Sequence, residues 1–230
     1  MIIGSGLLAT TMAPAFSHRD DCLVFAAGVS NSQCTDLNEF AREADKLYQA
    51  LTLHQGVRFS IYFSTCSIYD QERIDTPYVR HKLAMENLVA RHPGHLILRL
   101  PQLAGRTSNP HTLLNFLYMR IKQGETVSIW KNARRNIIDC TDVALILHAL
   151  VKAEWRGVTV NIANDLDYTL AEIVRVFEAI LGKAAIVELL EQGCAYAIDT
   201  SPIKPYVMAE GICFDEGYLE RVLRKYYAQA

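Results

Sequence analysis

Two short runs hold residue types that can do chemistry together. Tyr78 and Lys82 stand four apart in Tyr78-Val79-Arg80-His81-Lys82, a spacing that sets both side chains on one helical face. A phenol, with a reference pKa of about 10, is a poor proton donor or acceptor at neutral pH. An ammonium beside it favours the phenolate and brings such a tyrosine toward the working range. Upstream, Phe63-Ser64-Thr65-Cys66-Ser67-Ile68-Tyr69 gathers hydroxyls at the end of an apolar run. A third run, Gly4-Ser5-Gly6-Leu7-Leu8-Ala9, fits GxGxxA. That is a tight turn leading into a helix whose first amides can take a pyrophosphate. Each pattern is common in isolation, and YxxxK also fits an ordinary surface helix. Their weight comes from the elements that carry them.

Those elements alternate short β-branched runs with segments of helical period, the signature of an α/β fold with a mainly parallel sheet. Strands are expected at 1–3, 22–27, 59–64, 95–100, 127–130 and 158–163. Helices are expected at 7–16, 36–54, 77–91, 113–123, 142–153, 169–181 and 215–227. In the 36–54 segment Leu37, Phe40, Ala44, Leu47 and Leu51 recur at helical spacing. Pro77 suits a first turn. Thr169 with Glu172 fits a capping box, and Gly182 ends that helix. The glycine turn thus falls between the first strand and first helix, and the hydroxyl run at the carboxyl end of a strand. Ligands of parallel sheets bind at that end.

Composition narrows the function classes. Half of the 230 residues are hydrophobic and a fifth are charged, with net charge -2. This describes one packed domain over residues 1–230 and gives no electrostatic reason for a nucleic-acid or anionic-membrane partner. Arg134-Arg135 is a doublet, not a basic patch. Cys22, Cys34, Cys66, Cys140, Cys194 and Cys213 form no CxxC pair, and the seven histidines show no paired-ligand spacing, so no metal is expected. Residues 1–16 are apolar, but no basic residue precedes His18 and Arg19, so a signal peptide is not expected. No run reaches membrane-span length. Buried free thiols and a cytoplasmic location are the expectation.

On these runs the chain resembles the extended short-chain dehydrogenase/reductase family, the NAD-dependent epimerase/dehydratase type. Further segments carry the resemblance: Leu23 to Ala27 with Gly28, His95-Leu-Ile-Leu-Arg99-Leu-Pro101, Arg135-Asn-Ile-Ile-Asp139-Cys-Thr-Asp142-Val143, and Asn161-Ile-Ala163 followed by Thr169-Leu170 and Glu172-Ile173. The resemblance implies a Rossmann-like three-layer sandwich with a shortened, mainly parallel sheet and a small C-terminal substrate lobe. It implies NAD or NADP as cofactor, on Gly4, Ser5, Gly6, Leu7, Leu8, Ala26, Ala27, Gly28, Ser64, Lys82 and Pro101. Thr65, Tyr78 and Lys82 fall on the family's catalytic positions. Ser67, Gln102 and Arg135 fall on the substrate side, within elements at 102–140 and 164–230. The implied substrate is a nucleotide-activated sugar or similar small molecule, undergoing 4-keto reduction or epimerisation, as in polysaccharide biosynthesis. A homodimer through helices of the Asp36–His54 and Tyr78–Arg91 type is compatible with it.

Two departures stand out. Only residues 17–21 separate the glycine turn's helix, expected at 7–16, from Cys22-Leu-Val-Phe-Ala-Ala27, too few for the family's second and third strands. The adenosine side is therefore expected to be truncated, with no acid for its ribose. His18, Arg19 and Asp20 in the shortened connection are either substitutes or a solvated loop. The stretch from Thr65 to Tyr78 is also short. The competing expectation is a non-catalytic Rossmann scaffold that binds a nucleotide or regulates a partner.

Overall fold

Buried strands of β-branched and aromatic residues set the frame. The computed structural model describes residues 1–228. In chain order the elements are β1 (Ile2–Ile3), α1 (Leu7–Phe16), β2 (Cys22–Phe25), α2 (Leu37–Leu53), β3 (Phe59–Thr65), α3 (Pro77–Val89) and β4 (His95–Leu100). There follow β5 (Gln102–Ala104), α4 (Leu113–Gln123), β6 (Thr126–Trp130), β7 (Arg134–Asp139), α5 (Cys140–Lys152) and β8 (Val158–Asn161). The chain closes with β9 (Asp167–Thr169), α6 (Leu170–Leu181), β10 (Ile186–Leu190), α7 (Lys204–Ala209) and α8 (Tyr218–Tyr227).

The main sheet has the order β1-β2-β3-β4-β8 and every pairing in it is parallel. Alternation along the strands divides the core into two faces. Val24, Ile61, Leu96 and Leu98 meet Met12 and Phe16 of α1 and Val143, Ile146 and Leu147 of α5. Leu23, Phe25, Tyr62 and Ile97 meet Leu47 and Ala50 of α2 and Met85 and Val89 of α3. The layers are therefore helix, sheet, helix. β3 is buried along all seven residues, as a central parallel strand must be.

The path from β1 to β2 is unusual. β1–α1–β2 and β2–α2–β3 step the same way across the sheet, yet α1 and α2 cover opposite faces. The two crossovers are therefore of opposite hand. With β2–α2–β3 of the prevailing right-handed kind, β1–α1–β2 is left-handed. The cause lies in the connection: residues 17–21 lead from the end of α1 directly into β2.

A second core joins the remaining elements. A three-stranded sheet, β5-β7-β9, and the parallel pair β6-β10 pack with α4, α6 and α8 around Leu117, Ile137, Ile173, Phe177 and Tyr227. The capping box of α6 forms as expected: Thr169 accepts from the Glu172 amide while Glu172 accepts from the Thr169 amide. β7 is absent from the periodicity reading, because Arg-Arg-Asn-Ile-Ile-Asp alternates poorly and is held by the non-local partners β5 and β9. Leu37 departs from the expected apolar stripe: it opens α2 and is 75% exposed. No helix among the described residues is long and apolar enough to cross a membrane.

The α2 N-terminus tests local specification. Asp36 caps it by accepting from the Asn38 amide at 2.8 Å. Asp36→Ala is expected to lower stability by about 1 kcal/mol, read as a fall in the urea midpoint with an unchanged slope.

Candidate active site

The carboxyl ends of β1 to β4 converge, and the loops leaving them hold most of the candidate residues. After β1, Gly4 takes φ +131, a backbone conformation that side chains resist. A Cβ there would lie 2.4 Å from the Ala26 carbonyl oxygen, so glycine lets the turn rest directly on the end of β2. Gly6 caps α1 with no side-chain bond, and a Cβ on it would meet nothing within 4 Å. The first amides of α1, at Leu7 and Leu8, have no hydrogen-bond partner among the described residues. An anionic phosphate fits that cradle.

The YxxxK pair sits at the start of α3, where Thr76 caps and Pro77 opens the helix. Both side chains are turned inward. Tyr78 is 7% exposed and packs with Val29, Phe40 and Val79. Its hydroxyl makes no hydrogen bond among the described residues. Lys82 is 3% exposed, and its Nζ lies 5.9 Å from the centre of the Tyr78 ring.

The Lys82 ammonium is paired within the core. Nζ donates to Glu43 Oε1 at 3.0 Å and to Tyr62 Oη at 3.2 Å. The Tyr62 hydroxyl donates to the same Glu43 oxygen at 2.7 Å, and the Val29 amide donates to Glu43 Oε2 at 2.6 Å. His81 Nε2 stands 3.0 Å from Oε2, off the line of a hydrogen bond, while its ring stacks on Phe40 at 4.6 Å. Burial by itself would push the Glu43 carboxyl up. The His81 contact, the Lys82 ammonium, and the Val29 and Tyr62 donors outweigh it and hold the pKa at about 2. Burial and the Glu43 charge drive the Tyr62 phenol upward. Gly28 completes the cluster, since a Cβ there would lie 2.7 Å from Lys82 Nζ and 2.9 Å from Glu43 Oε1.

Glu43 and His81 are the residues that motif reading passes over. A signal for Glu43 was present: it lies three residues after Phe40 and four before Leu47, on the apolar face of α2, and is fully buried there. An acid on that face requires a partner.

The hydroxyl run divides its work. Thr65 Oγ1 accepts from the Ser67 amide at 3.0 Å and caps the turn at Cys66–Tyr69, with its own proton uncommitted among the described residues. Ile68 of that turn packs against the Tyr78 cluster. Ser64 instead donates to Glu86 Oε1 at 2.5 Å. Glu86 receives the Arg99 guanidinium in a fork at 3.0 and 2.6 Å, and Arg99 donates onward to Tyr69 Oη at 3.1 Å. Cys66 is buried, and burial pushes its thiol up, so it is a packed small residue rather than a nucleophile.

Pro101 follows β4, Gln102 opens β5 and Arg135 lies on β7. Arg135 is 9% exposed and donates to the Arg134 carbonyl oxygen at 2.9 Å. Burial pushes Tyr196 up to about 12 against the opposing pull of the Arg135 charge. Asp70, Glu72 and Cys194 bring potential ligand atoms within 4.8 Å of one another. The Cys194 thiol donates to Asp70 there at 3.2 Å, and burial and that bond make it keep its proton. The charged residues of the α1–β2 connection are elsewhere. The Met1 ammonium donates to the carbonyls of Arg19 and Cys22, and Arg19 is forked onto Asp21 at 2.9 and 2.6 Å. This places them at the amino ends of the strands, opposite the glycine turn.

A parallel sheet flanked on both faces, a glycine turn aimed at a helix N-terminus, and a YxxxK helix beside a hydroxyl-bearing strand end define the extended short-chain dehydrogenase/reductase architecture. The chain belongs to the NAD dependent epimerase/dehydratase family, a family of enzymes, which it matches over residues 22–163. No curated protein matches it. Solved structures share the fold. RMD from Pseudomonas aeruginosa, complexed with NADPH, aligns with a TM-score of 0.74 at 15% identity, covering 100% of this chain and 98% of that one. The UDP-glucose 4-epimerase of Thermus thermophilus, complexed with NAD, gives 0.71 at 18% identity over 97% and 82%. The UDP-glucuronic acid 4-epimerase of Bacillus cereus, with UDP-glucuronic acid and NAD, gives 0.71 at 16% over 91% and 74%.

The buried carboxylate has a signature in acid. Its folded pKa of about 2 lies below the ordinary 4.5. Its stabilisation is therefore complete above about pH 4.5 and is lost as pH falls toward 2, about 3 kcal/mol in all. Urea midpoints of wild type are expected to fall over that window, and those of Glu43→Gln to fall less there from a lower starting value. Gly28→Ala is expected to destabilise by about 1–3 kcal/mol, measured by the same unfolding curves.

Proposed function

We propose that this enzyme is an NAD(P)-dependent oxidoreductase or epimerase acting on a nucleotide-activated sugar or similar sugar, by 4-keto reduction or epimerisation. The observation that carries this reading is the buried Tyr78 phenol, uncommitted at its hydroxyl and one helical turn from the Lys82 ammonium. A cation over the ring also favours packing, but packing alone does not require a buried tyrosine whose hydroxyl has no partner among the described residues.

Tyr78 exchanges a proton at Oη with the substrate hydroxyl or carbonyl. Thr65 supports the same substrate oxygen with its free hydroxyl proton. Lys82 commits two of its three donors to Glu43 and Tyr62, which leaves one for a ribose hydroxyl or the phenol. A bound nicotinamide supplies or accepts the hydride. Gly4, Ser5, Gly6, Leu7 and Leu8 hold its phosphates, and Ala26, Ala27, Gly28 and Pro101 form the floor. Ser67, Gln102 and Arg135 face the substrate, Arg135 bringing a guanidinium suited to a diphosphate. The substrate elements are those at 102–140 and 164–228. Residues 229 and 230, the rest of the expected range, lie outside the described residues. In this role Ser64 acts through Glu86 and Arg99, keeping the end of β3 in place.

One observation favours a non-catalytic nucleotide-binding scaffold: the Lys82 charge is already matched by Glu43 within 3.0 Å. The two readings separate in one experiment. Tyr78→Phe is expected to lower turnover of a nucleotide-sugar substrate by at least about 10²-fold, the scale of a lost proton-transfer group. NADH or NADPH affinity, measured by calorimetry, is expected to stay within about twofold of wild type. Full activity in Tyr78→Phe would remove Tyr78 from the mechanism. Cofactor binding without turnover on any nucleotide sugar would favour the scaffold.

A further inference from the structure

A doubly wound sheet binds its ligand where helices leave adjacent strands toward opposite faces, outside the carboxyl ends of the strands. That place exists here, between β1 and β2, because α1 covers one face and α2 the other. Its two lips are the Gly4–Gly6 turn and the Ala26–Gly28 segment. On the β2 side the crevice is walled, with Lys82, Tyr78 and Thr65 beyond it.

On the β1 side the wall is lacking among the described residues. β1 is the edge of the sheet. In a dinucleotide fingerprint the helix after the turn leads to another strand, and an acid about twenty residues past the turn takes the ribose hydroxyls of the adenosine half. Here α1 returns through residues 17–21 straight into β2, and the corresponding position is Val24, wholly buried in the sheet. The polar residues of the connection do not substitute. α1 is ten residues long, about 15 Å, so His18, Arg19 and Asp20 lie a helix length from the crevice. Arg19 is in addition committed to Asp21.

We infer that this site grips the nicotinamide mononucleotide half of its cofactor, with a phosphate at the α1 amides, and leaves the adenosine half unread. The inference rests on the nicotinamide-dependent reading above and adds its ligand class. Among the described residues of β1, α1 and the connection to β2, no side chain is placed to recognise a 2′-phosphate on the adenosine ribose, so NADH and NADPH are equivalent ligands. Reduced nicotinamide mononucleotide, which lacks adenosine altogether, is nearly as good.

The test is calorimetric titration of the full chain with NADH, NADPH, reduced nicotinamide mononucleotide and ADP-ribose. The expected result is dissociation constants within about fivefold for the three nicotinamide ligands, and ADP-ribose weaker than NADH by about tenfold or more. Three results would overturn the inference while leaving nicotinamide binding intact. They are a mononucleotide more than about thirtyfold weaker than NADH, an NADH/NADPH preference above about tenfold, or ADP-ribose as tight as NADH. A folded sample that binds none of the three nicotinamide ligands would instead overturn the reading on which the inference rests.

Discussion

The buried Glu43–Lys82 pair is the constraint around which the site is arranged. Two opposite charges in a dry core persist only when their remaining bonding capacity is met. Here most of it is met by groups from separate elements: the Tyr62 hydroxyl from β3, the Val29 amide from the loop after β2, and the ammonium from α3. Removing either partner would strand the other, at a cost on the order of 3–5 kcal/mol. The pair therefore fixes α2 against α3 and holds both over the end of β3. Gly28 is part of the same constraint, because only a residue without Cβ leaves room for the ammonium.

A second buried network does the same work one turn further along α3. Ser64, Glu86, Arg99, Tyr69 and Asn161 join β3, α3, β4 and β8 through successive hydrogen bonds. Between the two networks stand Thr65 and Tyr78, whose hydroxyl protons find no acceptor among the described residues. Most polar groups that hold the scaffold are thus paired, whereas the two hydroxyls proposed for catalysis are not. Low internal dielectric sharpens that division, since an unsatisfied buried group is costly wherever it has no use.

The left-handed passage through α1 shapes the opposite lip. Its helix covers the face shared with α5, and that placement keeps its N-terminus at the crevice although the strands ordinarily reached through it are gone. The phosphate cradle and the wall for the adenosine half, coupled in a full doubly wound sheet, are here separable. Membership of the family places the chain among enzymes. On the proposed reading, the short connection limits how much of a dinucleotide its own residues can recognise.

The sequence by itself determined the layers and most of the elements. Period-two and period-3.6 apolar patterns are local consequences of which face is buried, and the Thr169–Glu172 cap is read within four residues. It also determined the glycine turn, the YxxxK helix and the shortened α1–β2 connection, all of which depend on spacing along the chain. The tertiary structure alone decided that Lys82 is charge-paired, since its partner lies 39 residues away on another helix. It alone decided that Ser64 serves Glu86, that β7 is a strand between β5 and β9, and that Arg19 lies at the wrong end of the sheet. Each of these is a long-range pairing, chosen by burial and charge compensation between elements, and no local pattern encodes which distant group will arrive.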